Sequence, residues 1–214
     1  MRKGVSVMNE DIDNIIRFWF GSENIDVIEA RDDFWFSTNS QLDQEIKRDF
    51  SALVASAYKQ DLANWAETAK GSLALLVLLD QFTRNIYRGT GRAFAYDEQA
   101  RAICLQGIER GFDLELSSSE RVFYYLPLEH SELMSDQKQC VQLFKRLAHN
   151  VDEKYAGKYQ QRFNAYVEYA VLHYKIIDDF GRFPHRNDLL GRESTQAELK
   201  YLIEGGATFG QASN

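Results

Sequence analysis

The sequence predicts an all-α protein, and three observations carry that prediction. Apolar residues recur at helical spacing nearly throughout, no alternating strand pattern is sustained, and only two prolines interrupt the chain. Spacing and punctuation together give roughly nine helices joined by short turns. With 214 residues, a single domain over residues 11–211 is expected, with flexible ends at 1–10 and 212–214.

The elements follow in order. Asp11 is a good N-cap for a helix that runs to Phe20 and closes at Gly21. Asn39 or Ser40 opens a longer helix in which Leu42, Ile46, Phe50, Leu53, Val54 and Ala57 share a face. A short segment at Leu62–Trp65 precedes a helix from about Ser72 to Tyr87. That helix is apolar nearly all round through Leu79, so it belongs at the centre. After the turn at Gly89–Gly91, another helix runs from Asp97 towards Gly111. Ser117 with Glu120 forms a capping box for the next, which carries Pro127 in mid-pattern. Asp136 with Gln139 marks a further start, its inward face being Cys140, Val141, Phe144 and Leu147. A long helix from about Lys158 to Asp179 follows, and Gly181 stops it. Thr195 with Glu198 opens a short last helix that ends at Gly205–Gly206. No self-match at a period of about 34 residues is visible.

The formal net charge of −7 argues against general nucleic-acid binding, which relies on a basic face. The longest apolar run, Leu73–Leu79, is far below the roughly 20 residues needed to cross a bilayer, so no membrane partner is expected. The first residues lack the apolar core of a secretory signal. Cys104 and Cys140 sit in separate apolar patterns and read as small buried hydrophobes in a reducing compartment. A cytoplasmic location is the expectation.

Polar side chains of chemical interest concentrate in three stretches, at residues 78–97, 123–132 and 173–194. Charges inside apolar helical sequence are costly unless paired or used. In the first stretch Asp80 and Arg84 are spaced for an internal ion pair. The glycine-bounded turn with Arg88 and Arg92 suits contact with an anion. The second stretch places Glu129 and His130 just beyond Pro127, with His130 facing inward. Adjacent residues on a helix point roughly 100° apart, which sets these two at odds over one small ligand. The third carries His173 late in the long helix, then Arg182, Phe183, Pro184, His185, Arg186 and Asn187 on a turn stiffened by glycine and proline. Arg192 and the start of the last helix follow, an arrangement suited to phosphate or carboxylate. Arginines that merely clamp neighbouring helices explain the same residues.

His130, His173 and His185 with Glu129 or Asp97 are chemically sufficient for a metal, yet there is no HExxH or other close ligand pair, so no metal is expected. Neither a GxSxG elbow nor a cysteine beside a basic motif appears, and no cofactor is implied. Glu129 with His173 or His185 could form an acid–base pair.

On LLDQFTRNIYRGTGRAFAYD, FYYLPLEHSE and FGRFPHRNDLLGRESTQAE with its ending GGATFGQ, the chain resembles the bacterial family known as domain of unknown function 924. FWFG at 18–21 and DDFWF at 32–36 fit as well, so the resemblance spans Ile12 to Gln211. It implies antiparallel helix pairs in a compact right-handed superhelix like that of tetratricopeptide-repeat proteins, curving around a groove. It brings no activity and no catalytic residue. Thr83 stands where the family pattern leads one to expect proline, which should leave that helix more regular.

The functional expectation is a pocket that binds a small anionic ligand. Its residues are Arg84, Arg88, Arg92, Glu129, His130, His173, Arg182, His185, Arg186, Asn187 and Arg192. The alternative is a helical scaffold that holds a peptide or protein partner in its groove.

Overall fold

The computed structural model describes residues 3–21, 31–151 and 153–211, with the backbone alone at 3–9, 153–156 and 158. The expected flexible tail at 212–214 lies outside the described residues. Among these residues there are nine α-helices and no strand. They are α1 (Lys3–Phe20), α2 (Asp32–Phe36), α3 (Ser40–Tyr58), a central α4, α5 (Asp97–Glu109), α6 (Ser118–Glu129), α7 (Met134–His149), α8 (Glu153–Phe180) and α9 (Gln196–Ile203). No helix among them is long and apolar enough to cross a membrane.

Most starts fall where the capping residues put them. The Asn39 side chain accepts the amides of Gln41 and Leu42 at the head of α3. Reciprocal capping boxes open α6 at Ser117–Glu120 and α9 at Thr195–Glu198. Two starts differ. Helix α1 begins at Lys3, well before Asp11, since no proline intervenes to break it. Helix α7 begins at Met134, because the Asp136 carboxylate is engaged elsewhere, by Arg101 and by the Ser131 hydroxyl at 2.6 Å.

Helix α4 runs unbroken through Ala69–Leu76, a π-helical segment at Val77–Phe82, and Thr83–Ile86. Its residues are buried on every side from Leu73 to Phe82, as the apolar run demands. Thr83 itself begins the α-helical turn Thr83–Ile86, directly after the π-helical segment. The hydroxyl of Thr83 donates back to the carbonyls of Leu79 at 2.8 Å and Asp80 at 3.2 Å.

Around α4 the main core is aromatic. Trp19 meets Phe82 and Phe123 edge-on at 5.5 and 5.6 Å, and Trp35 meets Phe123 at 4.8 Å. Cys104 and Cys140 are free thiols buried within it. A smaller core gathers Ile176, Ile177 and Phe183 with Met134, Phe180, Tyr201, Ala207 and Phe209. It anchors residues 207–211 beside the end of α8, and that strap forms one wall of the site described next.

Candidate functional site

The site begins at the π-helical turn. Asp80 is fully buried, and its carbonyl accepts Nη1 of Arg84 at 2.7 Å as well as the Thr83 hydroxyl. Its carboxylate faces Nη1 of Arg84 at 3.1 Å, takes a hydrogen bond from the Gln81 amide, and lies 2.8 Å from Nδ1 of His130. Burial works against ionisation here, but the charges of Arg84 and His130 and the hydrogen bonds outweigh it and hold Asp80 at about 2. An ionised carboxylate accepts only, so Nδ1 of His130 donates and Nε2 carries the lone pair.

A chain of alternating charges runs on from there. Arg84 bridges Asp80 to Asp97, reaching both oxygens of Asp97 at 3.0 Å, and Arg186 reaches Asp97 from the far side at 3.3 Å. Asp97 opens α5, where a negative charge suits the helix N-terminus. Arg186 lies between the rings of Phe94 and Phe183, 4.6 and 4.5 Å from their centroids. Burial lowers its guanidinium to about 10.

Glu129 is unlike these acids, because among the described residues it makes no ion pair with an arginine. It is the last residue of α6, buried, with Nδ1 of His173 at 3.4 Å as its near neighbour. That nitrogen donates to the Tyr169 carbonyl at 2.8 Å. Burial, and then the charge of Asp80, push Glu129 up to about 8. Burial, and then the neighbouring His130, drive His173 down to about 3. His130 is likewise lowered, by burial and then by Arg84. At neutral pH the trio is a protonated carboxyl beside two neutral imidazoles.

Glu129, His130 and His173 line a cavity of about 710 Å³, together with Gln81, Arg84, Asn85 and Arg88. Val122, Leu126, Phe144 and Tyr166 form its apolar wall, and Phe36, Tyr169 and Leu172 reach solvent at its edge. The strap 207–211 supplies the remaining side. Phe209 stacks on His173 with centroids 4.0 Å apart and holds a positive φ of 51°. That backbone conformation is strained for a bulky residue. A second hollow, about 570 Å³ between α3 and α5, has Glu109 as its one titratable lining residue.

Five of the expected site residues therefore meet at one cavity: Arg84, Arg88, Glu129, His130 and His173. Helix geometry had set Glu129 and His130 at odds, but His130 is the C-cap, where both side chains face the same hollow. Arg88 is paired with Asp43 at 2.7 and 2.9 Å and also donates to the Gly210 carbonyl at 3.2 Å. The other six lie outside the lining. Arg92 covers the Tyr87 ring at 4.2 Å. Arg182 grips Glu198 at 2.6 and 2.8 Å, and Arg192 grips Glu132 at 2.8 and 3.0 Å. Asn187 donates to the Ser194 hydroxyl at 3.0 Å. His185 and Arg186 are buried behind Phe183 and Phe209. At the start of α9, suggested for an anion, Glu198 already accepts the Thr195 amide at 2.6 Å.

Sequence reading left Gln81, Asn85 and Phe209 out of the site. Gln81 and Asn85 flank Asp80 and Arg84, so their nearness was available. The fold-back of Phe209 had no local signal except Gly210 after it. Among the described residues, no group of three or more His, Cys, Asp or Glu side chains is placed to hold a metal ion.

The model of a family of bacterial proteins of unknown function (DUF924) matches residues 15–206. The chain belongs to that family. It is similar to a protein of unknown function from Agrobacterium tumefaciens, ATU0120, whose solved structure is 35% identical. That likeness covers 91% of this chain and 97% of the other, with a TM-score of 0.75. No curated protein matches.

Proposed function

We propose that the cavity binds a small organic acid, with its carboxylate or phosphate at the Glu129 end and an apolar body along the aromatic wall. The observation that carries this reading is Glu129, a buried carboxyl lining an open cavity that makes no ion pair with an arginine or lysine among the described residues. Held protonated, it donates a hydrogen bond to an anionic group, and such charge-assisted bonds are the strong ones. The guanidinium groups of Arg84 and Arg88 add positive potential at the same end, although each is shared with its own carboxylates. Val122, Leu126 and Phe144 suit a hydrocarbon or aromatic body.

The polar groups converge at one hollow and do not spread along a face, which favours a small ligand over a peptide in a helical groove. Two buried free thiols fit a reducing compartment such as the cytoplasm.

Thermal unfolding with benzoate, hexanoate and phenyl phosphate, each beside its neutral amide or alcohol, tests this reading. The acids should stabilise the protein and the neutral analogues should not. Stabilisation should fade as pH rises through about 8, where Glu129 ionises and repels the ligand. Equal effects of acids and neutral analogues, or none from any, would refute it.

A further inference from the structure

We propose that the cavity is also a site of proton transfer, in which His130 is the base that takes a proton from the bound molecule and Asp80 is its positioning residue. This rests on reading the cavity as a ligand site, and the geometry of the His130 ring carries it further. Nδ1 is fixed on a fully buried carboxylate at 2.8 Å, and that carboxylate is itself held by Arg84 and Gln81. The ring still lines the cavity, with 16% of its side chain exposed, and among the described residues no protein group bonds Nε2. A buried acid spent on orienting an imidazole, whose other nitrogen opens onto a hollow, is the arrangement that general bases use.

The lone pair of Nε2 forms a bond to a proton from an acidic C–H beside a carbonyl of the ligand, and the C–H pair becomes the new C=C bond as the carbonyl π pair passes to its oxygen. The new imidazolium charge lies against Asp80. Glu129, on the same cavity wall, gives its own proton to the ligand oxygen that receives the pair. The ligand becomes a tautomer, and exchange with water returns His130 to neutral and Glu129 to its acid. Asp80 and Glu129 suit these separate tasks because their surroundings drive their acidities apart, to about 2 and about 8. The class of reaction is an isomerisation or proton exchange beside an acid group.

Alkylation with bromoacetate and with neutral bromoacetamide, read residue by residue by mass spectrometry, tests the base. Nε2 attacks the halomethyl carbon, the N–C bond forms, and bromide leaves with the C–Br pair. His149 is exposed and serves as the internal reference. His130 should be modified faster than His149 by at least one reagent, and Asp80→Asn should slow it about tenfold or more. Should Asp80→Asn not fold, nitrogen-15 spectra of the wild-type protein must show His130 as the Nδ1–H tautomer. Slower labelling of His130 than His149 by both reagents, or the opposite tautomer, overturns the proposal. Preference for bromoacetate bears on the acid-binding reading alone, so equal labelling by the two reagents would sink that reading and leave the base standing.

Discussion

Glu129 is held in its acid form at a cost that depends on pH. Its folded value is raised above the unfolded one, so the stability present below about 4.5 is lost as pH rises towards about 8. Replacing it with an uncharged isostere removes that loss. Glu129→Gln should leave stability unchanged near pH 4 and raise it at pH 8 by on the order of 3 kcal/mol, as measured by urea unfolding. No difference at either pH would mean that the carboxyl ionises normally. Arg186 presents the opposite case. It neutralises Asp97 and fills the space between two rings, yet does not line the cavity. Arg186→Ala should destabilise the fold by about 2–4 kcal/mol while leaving benzoate affinity unchanged in calorimetric titration. A loss of affinity at full stability would move the ligand towards the Pro184–Arg186 turn.

Helices were legible because burial and capping leave marks in composition. The Ser117 and Thr195 caps and the all-apolar run of α4 could be read directly, and Asn39 is one of two candidate starts beside Ser40. The π-helical segment could not, since its wider turn depends on how Asp80, Thr83 and Arg84 share one carbonyl in three dimensions. The arginines show the same limit. Sequence identified residues that need a partner, but whether the partner is Glu132, Glu198 or a ligand depends on contacts 16 to 60 residues apart in the chain. Close helix packing leaves a clearer mark at Gly107 of α5. A Cβ there would come within 1.7 Å of the Tyr124 hydroxyl of α6, which donates to Ser72 of α4 at 3.2 Å. Gly107→Ala should therefore destabilise the protein by about 2 kcal/mol or more in chemical denaturation, despite the better helix propensity of alanine. A neutral result would show that α5 and α6 can separate freely.

Over the whole molecule, three buried histidines shape the response of stability to acid. His130, His173 and His185 all have lowered values in the fold, the last two at about 3, with burial the first cause in each. Their stabilisation is fully present above the ordinary histidine range and is lost as pH falls through it. Glu129 works in the opposite direction over part of that window. Near pH 5.5 the unfolded chain should bind at least about one more proton than the native one, two from His173 and His185 less one from Glu129, with lowered His130 adding in the same direction. Unfolding free energy should then drop by at least about 1.4 kcal/mol per pH unit at the steepest, and a flat profile between about pH 7 and 5 would contradict neutral burial of the imidazoles.

The carbon-13 carboxyl signal of Glu129, followed through a pH titration with and without benzoate, tests the acid-holding cavity most directly. The free protein should show a midpoint near 8, and benzoate should raise it, because ligand binding and protonation reinforce one another. A midpoint in the usual carboxylate range of about 4.3, or one that benzoate leaves in place, would contradict a cavity built around a protonated acid.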